Sequence, residues 1–462
     1  MLAGAIICYL LATMAIGAFA SKWVKNAQDF VLAGRQLPLF LSASALFATW
    51  FGSETIFGAS SEYLEHGLLG VIEDPFGGAL CLLLFGLFYL KPMYKMNLLT
   101  LGDVFKKLFG KKVELIASLF MVPAFFGYVA AQLVALSLIL GAVTGIDLSV
   151  GILVSAFIVV FYTFMGGMWA ISITDFIQTI IIVVGLIWIA VMVTSEAGGI
   201  GNILAEAPEG SFTFFPQAAP KAWFHYLGAW AIIGLGSIPS QDIYQRVMAA
   251  KSEKVAQYSL YLASFFYLSF GLFPLFVALG AKILYPDLYL ENQQMLLPEM
   301  VLQHGGLALQ ILFFGALLSA IMSTTSSGLL APSAILSENI IKPLFKSKLS
   351  SAQLLWVLRT NVIIVAIIAT LLANWKANIY ELVAESSMLL LVSLFVPLTA
   401  GLYWKKANAT GALCAIVFGM FTYLLLHSLE DLTVPAHLSA TFVSALGQLI
   451  GSLLTQKNRL EI

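Results

Sequence analysis

The chain has 462 residues, of which 60% are hydrophobic and only 10% charged, and its mean hydropathy is +0.94. Soluble domains run at roughly 45 to 50% apolar and about 25% charged, so a cytosolic enzyme, a nucleic-acid binder and a disordered chain are excluded. The 23 Lys+Arg and 24 Asp+Glu leave a net charge of -1; what charge says about this chain lies in where it sits.

Apolar stretches long enough for roughly 30 Å of hydrocarbon, about 20 residues each, recur from end to end. They predict an all-α polytopic membrane protein with thirteen transmembrane helices at 2–21, 38–62, 68–90, 113–142, 148–166, 170–195, 223–248, 254–285, 302–341, 353–374, 377–403, 409–428 and 436–455. The first reads as a retained helix rather than a signal peptide, because no basic residue precedes its apolar core. Cys8, Cys81 and Cys414 lie inside apolar runs, where they read as small packing residues. The polar pieces 197–221 and 286–301 are too short for cores of their own, so no soluble domain is expected.

Lys and Arg accumulate in cytoplasmic loops. An N-terminus outside puts 20 of the 23 basic residues on the cytoplasmic side, and only Lys221, Lys282 and Lys376 on the other. The cytoplasmic set runs from Lys22, Lys25 and Arg35 through Lys106 and Lys107 to Lys346, Lys348, Lys457 and Arg459; the outer side collects Glu62, Glu65, Glu196, Glu206, Glu209, Asp287, Glu291, Glu430 and Asp431. The prediction is a multi-pass protein of the plasma or bacterial inner membrane with its C-terminus in the cytoplasm.

A spanning helix satisfies its own backbone, so a break at mid-depth is tolerated only where protein or a water-filled cavity covers it. The second span carries such a break at Ala48-Thr49-Trp50-Phe51-Gly52-Ser53-Glu54-Thr55, and the seventh at Gly234-Leu235-Gly236-Ser237-Ile238-Pro239-Ser240-Gln241. Five helices from residue 38 and five from residue 223 begin in opposite orientations, the pattern of an inverted repeat whose broken first helices meet at a midplane solute site. In Ala320-Ile321-Met322-Ser323-Thr324 the Ala320 carbonyl and the Ser323 and Thr324 hydroxyls share a helix face and offer oxygens to a hard cation; the same hydroxyls also suit packing between membrane helices. Asp175, just inside the sixth span, either relays a cation or makes a structural bond. Glu54 either meets a cationic or hydroxylated solute or caps the break, and Glu385 faces the cavity or the outer interface. A snorkelling anchor accounts for Arg246. Trp50 and Trp230 are aromatics at membrane depth.

Together, Asp29 to Arg35, Gly166-Gly167 with Thr174-Asp175 and Gln178, Gln245-Arg246, and Ala320 to Thr324 resemble the sodium/solute symporter family over about residues 29–428. Ala48-Thr49-Trp50, Lys91-Pro92-Met93, Ile238-Pro239 and Gln245-Arg246-Val247 are similar to its branch of high-affinity choline transporters. The resemblance implies the inverted-repeat, 5+5 fold of the bacterial leucine transporter with one helix before the core and two after it. That divides the chain into 1–37 (first helix and linker), 38–196 (first repeat), 197–222 (outer loop), 223–404 (second repeat) and 405–462 (two helices and a short tail). It implies a sodium site on the carbonyls of Ala48, Phe51 and Ala320 and the hydroxyls of Ser323 and Thr324, with Asp175 on the path to the cytoplasm. The solute would meet Trp50, Gly52, Glu54, Thr55, Gly78, Ser240 and Gln241. An aromatic cage for a quaternary ammonium is incomplete, since Ser240 follows Ile238-Pro239. The expectation is a sodium-coupled symporter, not an enzyme, with Na+ as coupling ion and no other cofactor. Its partners would be Na+, the bilayer and an amino acid, small carboxylate or amine such as choline, with no nucleic acid. Proton coupling through Asp175 or Glu54 is the nearer alternative and a channel the more distant.

Overall fold

In the computed structural model the described residues are all except 218, 292, 346–348, 376–377, 430–431 and 457–462, with the side chains of 10, 13, 17, 162, 289–291 and 319 also left out. Lys346, Lys348, Lys376, Glu430, Asp431, Lys457 and Arg459 of the charge pattern therefore lie outside the described residues. The rest is helical, with no strand among the described residues and one isolated backbone bridge between Leu37 and Ala250.

Helix α1 (Leu2–Ala20) is followed by the short α2 (Ala27–Leu32), opened by Asn26, whose side chain accepts from the Asp29 N–H at 2.9 Å. α3 (Leu39–Phe47) stops at Ala48; a π-helical turn, Glu54–Gly58, then leads into α4 (Ala59–His66). A second π-helical turn, Ile72–Gly77, carries Pro75 and precedes α5 (Gly78–Leu84) and α6 (Leu90–Met96). The amphipathic α7 (Leu101–Phe109) starts at a reciprocal Thr100/Asp103 cap that satisfies two otherwise orphaned N–H groups. The long α8 (Lys111–Thr144) leads to α9 (Leu148–Glu196), interrupted at Gly167 (φ 53, ψ -156). After α10 (Ile200–Ala205), α11 (Pro220–Gly236) and α12 (Gln241–Ala249) flank the second break, and α13 (Glu253–Leu284) follows. The short α14 (Pro286–Glu291) and α15 (Leu296–His304) precede α16 (Leu307–Ile335), α17 (Lys342–Leu344) and α18 (Ser351–Trp375). The chain closes with α19 (Ile379–Leu390), α20 (Val396–Tyr403), α21 (Ala409–His427) and α22 (Ala436–Leu454).

Ten helical stretches among the described residues are long and apolar enough to cross a membrane. The expected spans at 38–62 and 223–248 are broken midway, and Leu148–Phe161 is a shorter apolar run, so length alone does not reproduce thirteen. Phe40, Phe157, Phe265, Leu371 and Phe442 are each at least 66% exposed; large apolar side chains spread around the whole girth require hydrocarbon against them.

Inside, helix pairings repeat across the two halves. α3 packs on α13 as α11 packs on the Ile72–Gly77 turn, and α8 packs on α19 as α9 packs on α16. One end of the bundle is polar and basic. There Arg35 donates to the Leu98 carbonyl at 2.7 Å, Lys106 pairs with Glu114 at 3.1 Å, and Asn339 donates to Asp103 and Glu114 at 3.0 and 2.9 Å. At the other end the Leu68 N–H donates to the Ser211 carbonyl, Lys282 to that of Leu64, and Tyr285 to Glu196.

Candidate functional site

The break after α3 frees backbone groups that other elements then satisfy. The Thr324 hydroxyl, from α16, donates to the Ala48 carbonyl at 2.9 Å, and the Tyr128 hydroxyl, from α8, donates to that of Thr49. Gly52 lies close beneath these groups: a Cβ there would lie 3.3 Å from both Thr324 Oγ1 and Gln132 Oε1. One residue before Thr324, the Ser323 hydroxyl donates to Asp175 on the second half of α9. Ala48, Ser323, Thr324 and Asp175 are thus drawn together from three elements, all 2% exposed or less. Phe51 and Ala320 are buried in the same two segments, Phe51 with its ring stacked on Phe47.

Arg246 departs from the sequence-based expectation. It does not reach toward water; it is fully buried, 3.6 Å from Asp175, and donates to Ser327 at 2.6 Å. A buried guanidinium is retained only where a carboxylate compensates it, and Asp175 is that carboxylate. The hydroxyl run at 323–327 divides accordingly: Thr325 and Ser326 donate to carbonyls one turn back, whereas Ser323, Thr324 and Ser327 reach other helices.

Between the two breaks lies a small cavity. Of the seven residues expected to meet a solute, Trp50, Glu54 and Ser240 line it. The other four sit behind its wall: Gly52 against Thr324, Thr55 under Trp50, Gly78 against the Tyr267 ring, and Gln241 accepting from the Leu101 N–H at 2.7 Å. Trp230 joins an aromatic cluster with Phe76, Phe214 and Tyr226, and Glu385 lines a separate cavity with Trp375 and Pro123.

Sequence reasoning missed Asp74, Asp242, Phe125 and Tyr128, which also line the central cavity. Asp74 follows the Ile72–Gly77 turn inward, its own backbone extended (φ -143, ψ 124), and accepts from Tyr267. Asp242 stands in the first turn of α12, accepting from Ser240 and from the Ile243 N–H at 2.8 Å. Glu54 accepts from Gln132 at 2.9 Å and Ser53 at 3.3 Å. The signal that could have found the two aspartates was an acid inside an apolar run, a functional candidate by default. Among the described residues none of Glu54, Asp74 and Asp242 forms an ion pair. Three carboxylates among aromatic walls make a receptacle for positive charge.

The family model described as sodium:solute symporter family matches residues 30–419. The chain is 30% identical to the human high affinity choline transporter 1 over 90% of this chain and 75% of that protein. It is 27% identical to the high-affinity proline transporter PutP of Bacillus subtilis (strain 168), over 89% of each. Among solved structures, an outward-open, substrate-bound Na+-coupled sialic acid symporter superposes with a TM-score of 0.83 at 22% identity, covering 98% of both chains. MhsT bound to L-phenylalanine gives a TM-score of 0.53 at 16% identity over 91% of this chain and 99% of that one. The structural likenesses establish a fold built as the leucine transporter's is.

Proposed function

Since the chain belongs to the sodium:solute symporter family, and is a sodium-coupled membrane transporter of a small solute rather than an enzyme, we propose that its solute carries a positively charged nitrogen. The observation that carries this reading is the central cavity, walled by Trp50, Phe125 and Tyr128 and by the carboxylates of Glu54, Asp74 and Asp242. Choline and proline, named in two relatives, share such a nitrogen. A simple carboxylate would meet three acidic side chains and no basic one in the cavity wall, which disfavours it.

Sodium is proposed to join the broken segment after α3 to α16 through the carbonyls of Ala48, Phe51 and Ala320 and the hydroxyls of Ser323 and Thr324, with Asp175 beside it. The Thr324–Ala48 bond supports this, because an ion would take both oxygens in the same closed arrangement. Binding the ion then favours the conformation in which the break faces its solute, and solute closes it. Each inward sodium at 100 mV contributes about 2.3 kcal/mol to uptake. The units 38–196 and 223–404 are proposed to rock against each other; the matched pairings across the halves support that division. The basic end is proposed to face the cytoplasm, with the N-terminus outside, in a plasma or bacterial inner membrane.

The test is uptake of radiolabelled choline, proline and a panel of amines, amino acids and carboxylates into proteoliposomes, with sodium or potassium outside at fixed pH. Sodium-dependent uptake of an amine or zwitterion is expected. Uptake that persists in potassium and follows an imposed pH gradient indicates proton coupling instead, and preference for an anionic carboxylate sinks the solute assignment.

A further inference from the structure

The segment between α10 and α11, which joins the two halves of the chain, folds back onto both of them. Two turns stiffen it. The Ser211 N–H donates to the Pro208 carbonyl at 3.1 Å, with Gly210 (φ 88) at the third position of that turn, and the Thr213 N–H donates to the Gly210 carbonyl at 3.0 Å. The segment then docks at two points. Its Ser211 carbonyl accepts the Leu68 N–H at 3.0 Å, just past α4, the outer arm of the first broken helix. Gly67 admits it there, because a Cβ at that position would lie 2.7 Å from the Gly210 carbonyl. Three residues on, the Phe214 ring enters a slot walled by Phe76, Tyr226 and Trp230. Its centroid lies 5.1, 6.3 and 6.4 Å from theirs and every pair is edge-to-face, the arrangement that ring quadrupoles favour.

This slot borders the central cavity. Asp74 is two residues before Phe76, and Ile233 comes about one helical turn after Trp230; both line the cavity. Since α11 runs inward from Pro220, Trp230 stands between Ile233 and the outer surface. Phe214 therefore joins the Ile72–Gly77 turn of the first half to α11 of the second on the outer side of the solute site. Its neighbours Phe212 and Phe215 are 50% and 63% exposed, so the segment lies on the surface. Contacts this superficial open and close far more readily than the packing between long helices.

We propose that residues 206–217 form an outer strap whose Phe214 ring plugs the mouth of the central cavity, and that the ring leaves its slot each time solute enters from outside. The inference rests on the cavity as the solute site and on the outer placement of this segment.

The test uses neither solute nor sodium: it is the rate at which a membrane-impermeant methanethiosulfonate labels Ser237→Cys, a cavity position, in intact cells and in a background without native cysteines. Phe214→Ala should raise that rate about fivefold or more, the shift in population expected from losing a set of aromatic contacts. Trp230→Ala, which removes the other side of the contact, should do the same, and the double change should go no further than either alone. Phe214→Tyr, which keeps the ring, and Phe212→Ala, on the exposed part of the same segment, should label as the parent does. A rate unchanged in both Phe214→Ala and Trp230→Ala, or raised equally by Phe212→Ala, overturns the plug. Either result leaves the sodium-coupled reading standing, since uptake in proteoliposomes tests that on its own.

Discussion

At the scale of single residues, the decisive contacts are hydroxyls that leave their own helix. Removing both through Ser323→Ala and Thr324→Ala should raise the sodium concentration for half-maximal uptake by at least tenfold, equivalent to about 1.4 kcal/mol, while the order of preferred solutes stays the same. Sodium titrations of uptake check it; a change of solute preference with unaltered sodium dependence would refute the placement. Much of this site was legible in the sequence, because hydroxyls at i and i+1 beside a small residue at i−3 mark one face of a helix whatever its depth. Asp74 and Asp242 were harder to see. Asp74 sits near the expected outer end of a span, and only the inward course of the Ile72–Gly77 turn brings it to the cavity. Asp242 follows a recognised break by one register position. Tyr128 and Tyr267 are aromatics within long apolar helices, where nothing in the spacing separates a hydrogen-bonding ring from a packing one.

At the scale of elements, the interruptions do more than the helices. Both breaks were visible as Gly and Pro clusters, since those residues interrupt a spanning helix whatever surrounds them. The corner at Gly167 was visible only as a pair of glycines, but its conformation is demanding: φ 53 with ψ -156, a region essentially closed to side chains. A Cβ there would also lie 2.6 Å from the Phe30 carbonyl of α2. Gly167→Ala should therefore destabilise the protein by more than the roughly 1–3 kcal/mol of backbone strain alone, seen as a lowered Tm in detergent. Gly145→Asn is the contrast: φ is 74 with nothing within 4 Å, asparagine tolerates that conformation, and Tm should barely move. Equal losses from the two changes would refute the account. Helix ends were less legible than breaks, because α15 ends at His304, short of α16, where hydropathy alone reads one continuous span.

At the scale of the whole molecule, charge separates the two ends of the bundle, and the separation predicts sidedness. In a background with its native cysteines replaced, Glu209→Cys should react with a membrane-impermeant maleimide in intact cells, and Lys107→Cys only after permeabilisation; the reverse pattern would invert the topology. Both positions are exposed. At the basic end, the Leu37 N–H donates to the Ala249 carbonyl and the Lys251 N–H to the Leu37 carbonyl, both at 3.0 Å. This two-bond clasp ties the root of the first broken helix to the foot of the second. If it survives throughout the cycle, both interrupted helices swing as one lever about a common hinge, and the two amides become clocks: their deuterium uptake should stay slow in sodium and in potassium alike while amides around the cavity change. Rapid exchange of both in one ionic condition would mean instead that the clasp is the latch, opened each time cargo leaves toward the basic side.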